Sequence, residues 1–285
     1  MIRFGPAGAP RWFNQNLALL EHYLDLIAEE GGSAIEFVVL PDPGTEELGR
    51  VHLLGPIAPA AIARAQARGL MVNLHAPLTP AFRVAEWARD RDSYRNRFLP
   101  IIDLLRVTEV GQAEPPVFVI HAAAGRPDQT SNYLEWLAET LSGAHLAARI
   151  AVELRGPGSG DFHEFDRSLA TLSAFVDGIG DDRIGICWDV AHDWEHGGDI
   201  AELGPDLARH INHVHVHDNR PTGEVHAPLG SGSVPWRDAL RQLNDAGWSG
   251  SVTLEIRYRY ACELGDPWDI LRASLQAARA VLAGE

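Results

Sequence analysis

The chain contains few cysteines and no long apolar run. Only Cys187 and Cys262 occur among its 285 residues, which excludes a disulfide scaffold and indicates a reducing compartment such as the cytoplasm. No apolar run reaches the roughly 18 residues that a membrane-spanning helix needs. The opening residues MIRFGPAGAP lack the apolar segment of a signal peptide. We therefore expect a cytoplasmic protein that does not associate with membranes.

Positive charge is also scarce. The chain has 39 acidic residues against 24 basic residues, which gives a formal net charge of −15. A protein that binds nucleic acid or an anionic membrane through its overall charge needs the opposite balance. Hydrophobic residues make up 46% of the chain and charged residues 22%, which predicts a sizeable core and argues against disorder.

Short apolar runs alternate with amphipathic stretches along the whole chain. Eight apolar runs predict buried parallel strands: Ile2–Gly5, Ala34–Leu40, Leu70–Leu74, Val117–His121, Arg149–Leu154, Ile184–Trp188, Ile211–His217 and Ser251–Ile256. Eight stretches predict helices: Asn16–Glu30, Pro59–Arg68, Asp92–Val110, Asn132–Ala148, Asp166–Gly178, Asp199–Arg209, Trp236–Ala246 and Asp266–Leu282. This alternation predicts an α/β fold, a single (β/α)8 TIM barrel that forms one domain over residues 1–285. An open doubly wound sheet is the alternative, but no glycine-rich phosphate-binding turn follows the first strand.

Histidines and carboxylates recur where the predicted strands end. In such a barrel, catalytic residues lie at the C-terminal ends of the strands. Strands three to eight and their loops each place residues of these two types there: His75, His121, Glu153, Asp189, His192, His215, His217, Glu224, His226 and Glu255. Imidazole and carboxylate groups together suit zinc or manganese. Their burial without a cation would be costly, so the pattern predicts a divalent metal site.

Strands two and seven also carry polar residues inside apolar runs. His213, His215 and His217 face one way, because side chains alternate along a strand. We favour His215 as a metal ligand and His213 as a packed core residue. His217 either contacts substrate or orients a neighbouring ligand. For Glu36 we favour an ion pair inside the barrel over a place on the pocket floor.

Two Glu-x-Arg pairs occur, at strands five and eight. Alternation places Arg155 on the face of Glu153 and Arg257 on the face of Glu255. Each arginine either binds an anionic group of the substrate or balances the charge of the carboxylates. A further group of arginines follows strand three: Arg83, Arg89, Arg91, Arg95 and Arg97. They stand near where a DNA-contacting loop could lie, but the interleaved acids Glu86, Asp90 and Asp92 favour a solvated helix face.

Several segments carry a family resemblance in their order and spacing. They are NLHAP, VIHAAAG, VEL, WDVAH and HVHVHDNRPTGEVHAPLGSGSVPW, followed by TLEI. These segments resemble the xylose-isomerase-like TIM-barrel superfamily, which includes sugar isomerases and epimerases and also endonuclease IV. The sugar branch implies one metal ion, held by Glu153, Asp189, His215 and Glu255. It also implies that the two glutamates act as acid and base on opposite faces of the sugar, and that His192 contacts a substrate oxygen.

The endonuclease IV branch of the same superfamily implies a trinuclear zinc site instead. Its ligands would be His75, His121, Glu153, Asp189, His192, His215, Glu224, His226 and Glu255. Glu224 stands where that branch has aspartate. The loop from Ala76 to Pro80 lacks the aromatic residue that the DNA enzymes insert near an abasic site. Both departures, together with the acidic composition, favour the sugar branch.

The sequence therefore predicts a sugar or sugar-phosphate isomerase or epimerase that depends on a divalent metal, zinc or manganese. It would work by proton transfer through a metal-bound enediolate, on a small carbohydrate and not on nucleic acid. His75, His121, Glu224 and His226 would then line the pocket or hold a second, weaker metal site. The alternative is a zinc-dependent apurinic/apyrimidinic endonuclease. A barrel without catalysis is disfavoured by the intact acid and histidine set. Barrels of this branch often pair, so a homodimer is possible.

Overall fold

The computed structural model describes residues 1–8, 17–39, 57–77, 79–123, 126–156, 164–198, 200, 203–220 and 226–285. Its eight parallel strands pair in chain order, and the last strand pairs with the first to close a barrel. They are β1 Arg3–Gly8, β2 Ala34–Val38, β3 Met71–His75, β4 Val117–His121, β5 Arg149–Glu153, β6 Ile184–Asp189, β7 Ile211–Val216 and β8 Ser251–Leu254. The predicted (β/α)8 barrel is confirmed.

Helices connect the strands and cover the outside of the barrel. Those in the described ranges are α1 Leu17–Glu29, α2 Ile57–Ala67, α3 Val84–Arg89, α4 Arg91–Glu109, α5 Pro127–Gly143, α6 Leu169–Ile179, α7 Val190–Glu195, α8 Pro205–Ala208, α9 Trp236–Asp245, α10 Tyr258–Leu264 and α11 Pro267–Ala283. Their apolar faces pack on the outer side of the strands, where residues such as Leu20, Ile101, Leu137 and Leu275 are fully buried. None of the described helices combines the length and apolar character needed to cross a membrane.

Several element boundaries differ from the sequence prediction. Strand β1 continues to Gly8 instead of ending at Gly5. Helix α5 begins at Pro127, five residues before the predicted start, because proline fits the first turn of a helix. The predicted helix Asp199–Arg209 is reduced in the described residues to α8. Helices α3, α7 and α10 were not predicted, since six or seven residues are too few to show a helical period.

The inside of the barrel changes character along its axis. Small and aliphatic side chains from β4, β5 and β6 form one interior cluster of Val117, Val119, Ala151 and Cys187. Glu36 from β2 and His213 from β7 are also completely buried in the barrel. Strands β7 and β8 end at Val216 and Leu254, one residue before His217 and Glu255. Those two residues therefore lie at the C-terminal rim of the barrel.

Candidate active site

Strand register brings the predicted site residues together. In neighbouring parallel strands, His121 is paired with Glu153, and Asp189 is paired with His215. Paired residues of adjacent parallel strands lie side by side on the same face of the sheet. The closed barrel then directs all four side chains toward one C-terminal rim, as the strand-end pattern predicted.

One group of donor atoms contains Glu153, Asp189, His215 and Glu255. Each residue contributes one oxygen or nitrogen, and these four atoms lie within 4.8 Å of one another. The His215 Nδ1 atom lies 3.3 Å from Glu255 Oε2 and 3.9 Å from Glu153 Oε1. Both His215 Nδ1 and Glu255 Oε2 are buried without a hydrogen-bond partner. Such unpartnered buried donor atoms fit a cation, because an orphaned polar atom is otherwise costly.

A second group lies on the other oxygen of Glu153. Its Oε2 atom is 2.9 Å from His75 Nε2 and 2.7 Å from His121 Nε2. His75 Nδ1 donates to the carbonyl oxygen of Ala76 at 2.8 Å, so a neutral His75 ring presents a lone pair at Nε2. A lone pair facing a carboxylate is stable only with a proton or a cation between them. Glu153 is therefore shared by two groups of donors.

A third group contains His192, His217 and His226. The rings of His217 and His226 stack with centroids 4.3 Å apart, and the His192 ring lies 5.1 Å from that of His217. His217 Nδ1 accepts the backbone N–H of His226 at 3.0 Å, and its Nε2 atom lies 3.2 Å from Asp189 Oδ2. His217 is fully buried, so in this structure it orients Asp189 and the loop that carries His226.

The first turn of α7 holds Asp189 in place. Its Oδ1 atom accepts the backbone N–H groups of Ala191 and His192, each at 3.0 Å. This helix cap leaves Oδ2 to face His192 and His217. Gly156 allows the close approach of His192, because a Cβ atom there would lie 3.0 Å from its Nε2 atom and 2.7 Å from a ring carbon.

Below the rim, Glu36, His213 and Thr253 form what we call the inner layer. Glu36 Oε2 lies 2.9 Å from His213 Nε2 and 3.0 Å from His215 Nε2. His213 Nε2 also lies 2.9 Å from Thr253 Oγ1. The expected ion pair of Glu36 inside the barrel is therefore observed. Because His215 directs Nε2 toward this layer, its Nδ1 atom faces the four-residue group above.

The local charges favour ionised carboxylates at the rim. Burial opposes ionisation of Glu153, but the charge of His121 and hydrogen bonds from His121 and His75 hold the pKa of this carboxyl well below its usual range. Burial likewise opposes ionisation of Glu255, and the neighbouring His226 and His215 hold its pKa well below the usual range. Burial alone would lower the pKa of His75, but the hydrogen bond and charge of Glu153 raise it to about 9.

The remaining predicted site residues are not members of these three donor groups in the part of the chain that the structure describes. Arg155 is half-buried and forms an ion pair with Asp166 at 3.2 Å. Arg257 is exposed at the start of α10, and its backbone N–H donates to the carbonyl of His226 at 2.9 Å. Glu224 lies outside the described residues, so its predicted role as a ligand stays a prediction.

A cavity of about 680 Å³ opens beside the second donor group, between α3 and the start of α5. His75 and His121 form part of its wall. Its other lining residues include Phe82 and Tyr133 and four arginines: Arg83, Arg89, Arg126 and Arg155. The sequence assigned Arg83 and Arg89 to a solvated helix face, and it did not single out Arg126. The available signal was the position of Arg126 in the loop after β4, at the rim where barrel sites lie.

Known proteins resemble this chain in fold and, over a shorter stretch, in sequence. The protein MJ1311 of Methanocaldococcus jannaschii, described as uncharacterized, is 28% identical over 87 residues, which cover 30% of this chain and 30% of that protein. The structure of 3-keto-D-glucoside 4-epimerase from E. coli matches with a TM-score of 0.68 at 18% identity, over 98% of this chain and all of that chain.

Two further solved structures match over almost their whole length. D-psicose 3-epimerase from Clostridium cellulolyticum H10 matches with a TM-score of 0.63 at 14% identity, over 92% of this chain and 93% of that one. A probable 3-DHS dehydratase, AsbF, from Bacillus anthracis matches with a TM-score of 0.64 at 14% identity, over 96% and 98%. Identities this low show a shared fold. The sequence profile of the xylose isomerase-like TIM barrel family matches residues 24–281, and the chain therefore belongs to that family.

Proposed function

We propose that the protein is an isomerase or epimerase of small carbohydrates that depends on a divalent metal ion. The observation that carries this proposal is the pair Glu153 and Glu255, whose oxygens lie 3.9 and 3.3 Å from the unpartnered His215 Nδ1 atom. Two carboxylates that approach one site from different strands are suited to remove and return a proton. The names of structural neighbours, among them two sugar epimerases, support the same activity.

The donor set of Glu153, Asp189, His215 and Glu255 fits a divalent metal. Three carboxylates and one imidazole suit zinc or manganese in charge and ligand type. A metal ligand atom must be free of other hydrogen bonds. Two atoms of the group meet this requirement, because His215 Nδ1 and Glu255 Oε2 are buried without a hydrogen-bond partner. When bound, a divalent ion polarises a carbonyl and its neighbouring hydroxyl and thereby acidifies the C–H between them.

The chain's own residues then move the proton. One of Glu153 and Glu255 removes it from the substrate carbon, and the same or the opposite glutamate returns it. His192 Nδ1 is held by the Leu154 carbonyl and Asp189, which orients the ring to contact a substrate oxygen through its other nitrogen. The chain contains no lysine, so its side chains offer no amine for a Schiff-base route to the same products.

The second candidate is a phosphodiester hydrolase of the endonuclease IV type. It is favoured by His75 and His121, which both face Glu153 Oε2 and offer a further group of donors beside the first. The third group, His192, His217 and His226, adds to this resemblance. The net charge of −15 argues against it, because a protein that binds DNA contacts many phosphates.

Metal counting and two activity assays separate these candidates. Protein loaded separately with zinc and manganese is tested for exchange of solvent deuterium into a panel of ketoses and aldoses, and for cleavage of a duplex with one abasic analogue. We expect exchange into at least one sugar and no cleavage, with one tightly bound metal ion per chain. Efficient cleavage that is lost in His121→Ala, without exchange into any sugar, would establish the hydrolase instead.

Three further predictions concern the whole chain. A single domain over residues 1–285, a cytoplasmic location and a possible homodimer all rest on the sequence alone. Light scattering of the purified protein measures its mass in solution and so tests for a homodimer directly.

A further inference from the structure

The arginine-lined cavity borders the proposed active site. His75 and His121 belong to its wall, and their Nε2 atoms also contact Glu153 Oε2 at 2.9 and 2.7 Å. A molecule in the cavity would therefore lie against two side chains that directly contact Glu153, one of the two proposed acid–base residues. The volume of about 680 Å³ lies within the range of small-molecule sites.

The charge of this cavity is opposite to that of the whole chain. The formal net charge is −15, yet four arginines and no acid occur among the described residues of the lining. Because the chain has no lysine, this positive charge comes from guanidinium groups, which stay protonated at every physiological pH. Such a concentration of one sign in a concave site favours an anionic ligand.

Two of the four arginines are already neutralised. Arg89 is paired with Glu86 and Arg155 with Asp166. Arg83 and Arg126 have no ion-pair partner among the described residues, and both are exposed. They precede α3 and α5, respectively, so they approach the cavity from two different loops. The lining thus carries about two unbalanced positive charges.

We propose that this cavity binds the phosphate group of a phosphorylated sugar, an inference that rests on the isomerase or epimerase function proposed above. A phosphate monoester carries a charge of about −1.5 to −2 at pH 7, which matches two unpaired guanidinium groups better than a single carboxylate does. Guanidinium also forms paired hydrogen bonds with phosphate oxygens. The phosphate in the cavity would hold the sugar carbons next to the donor group that contains both Glu153 and Glu255.

Binding to a matched pair of sugars tests this site. The metal-loaded full chain is titrated by calorimetry with D-fructose and D-fructose 6-phosphate, which differ only in the phosphate. We expect the phosphate ester to bind at least about tenfold more tightly. An arginine that contacts an anion contributes about tenfold to a hundredfold in affinity, so Arg83→Gln and Arg126→Gln should each reduce binding of the ester by that factor. Arg95→Gln, which removes an exposed charge outside the cavity lining, should leave it unchanged.

The outcomes distinguish this inference from the function on which it rests. The phosphate site is contradicted if the two sugars bind equally well or if neither binds. It is also contradicted if the preference for the phosphate ester persists in Arg83→Gln and Arg126→Gln. Tighter binding of D-fructuronate than of the phosphate ester also overturns it. Binding of an abasic duplex that depends on these arginines, without binding of D-fructose 6-phosphate, would also contradict the sugar-phosphate site.

Deuterium exchange is the separate measure of the proposed activity. Both proposals are supported if the parent protein exchanges deuterium into phosphorylated sugars and Arg126→Gln raises KM while kcat stays nearly constant. Arg126→Lys should then lower KM part of the way back to the parent value. Arginine-dependent binding of the ester without exchange into any sugar retains the phosphate site and contradicts the isomerase or epimerase activity. Efficient exchange into neutral sugars alone, unchanged in Arg83→Gln, retains the activity and contradicts the phosphate site.

Discussion

The inner layer and the rim of the barrel use the same residue types at different depths. In the inner layer, Glu36 and His213 are fully buried and contact each other, and His213 also contacts Thr253. At the rim, the His121 side chain is 37% exposed and opens onto the cavity. His215 connects the two regions, since its Nε2 atom faces Glu36 and its Nδ1 atom faces Glu255. Position along the strand therefore matters more than residue type. It distinguishes residues that orient the site from residues that are accessible to a ligand.

The largest effect should come from the rim. Glu153→Gln and Glu255→Gln each replace a proposed acid–base group, and the loss of such a group typically lowers the rate by about 10²–10⁴. We expect deuterium exchange to fall by at least this factor while circular dichroism and the unfolding midpoint stay close to those of the parent protein.

An exposed glutamate supplies the control for this prediction. Glu139→Gln makes the same chemical change on the surface of α5 and should leave exchange unchanged. If both rim variants retain metal and exchange at nearly the parent rate, the two glutamates are not the acid and base, and the rim differs from the inner layer only in exposure.

A smaller and different effect should come from Glu36 in the inner layer. Glu36→Gln removes the charge that holds His215 Nε2 at 3.0 Å. Loss of a partner that orients a metal ligand typically reduces metal affinity by about tenfold to a hundredfold. We expect the zinc dissociation constant, measured by competition with a chelator, to rise by this factor.

Metal saturation distinguishes the Glu36 variant from the rim variants. Excess metal should restore most of the exchange in Glu36→Gln and none of it in Glu153→Gln, because Glu36 does not contact the substrate. An unchanged zinc affinity in Glu36→Gln would show that strand β7 alone holds His215, and that the inner layer has no part in the site.

Many residues of the rim could be predicted from the sequence, because functional residues of a TIM barrel lie at the C-terminal ends of its strands. The runs that end at His75, His121 and Glu153 are short and apolar, and parallel strands in register bring their ends to one edge. The predicted barrel follows from the same alternation. The short helices α3, α7 and α10 escaped prediction, because their length is set by packing between neighbouring loops and not by a repeating apolar face.

Long-range pairing explains what the sequence could not specify. Glu36 and His215 are 179 residues apart, and only closure of the barrel brings β2 and β7 to opposite sides of one interior. Arg83 illustrates the same limit, because nothing local distinguishes an arginine that lines a cavity from one on a solvated helix. The partner of His217 was left open as substrate or ligand, and the structure places Asp189 beside it.

The smallest effect should come from Thr253, which contacts His213 in the inner layer. Its hydroxyl oxygen lies 2.9 Å from His213 Nε2, and Thr253→Val removes that oxygen while keeping the branched shape of the side chain. A single hydrogen bond of this kind contributes about 1 kcal/mol, so we expect the free energy of unfolding to fall by about that amount in denaturant titrations. Zinc affinity should stay within about twofold of the parent value, because the contact between Glu36 and His215 remains. Loss of a partner that orients a metal ligand typically changes metal affinity by about tenfold or more. A tenfold loss of zinc affinity in Thr253→Val would show instead that the inner layer acts as one unit, in which His213 transmits its position to the metal ligand through Glu36.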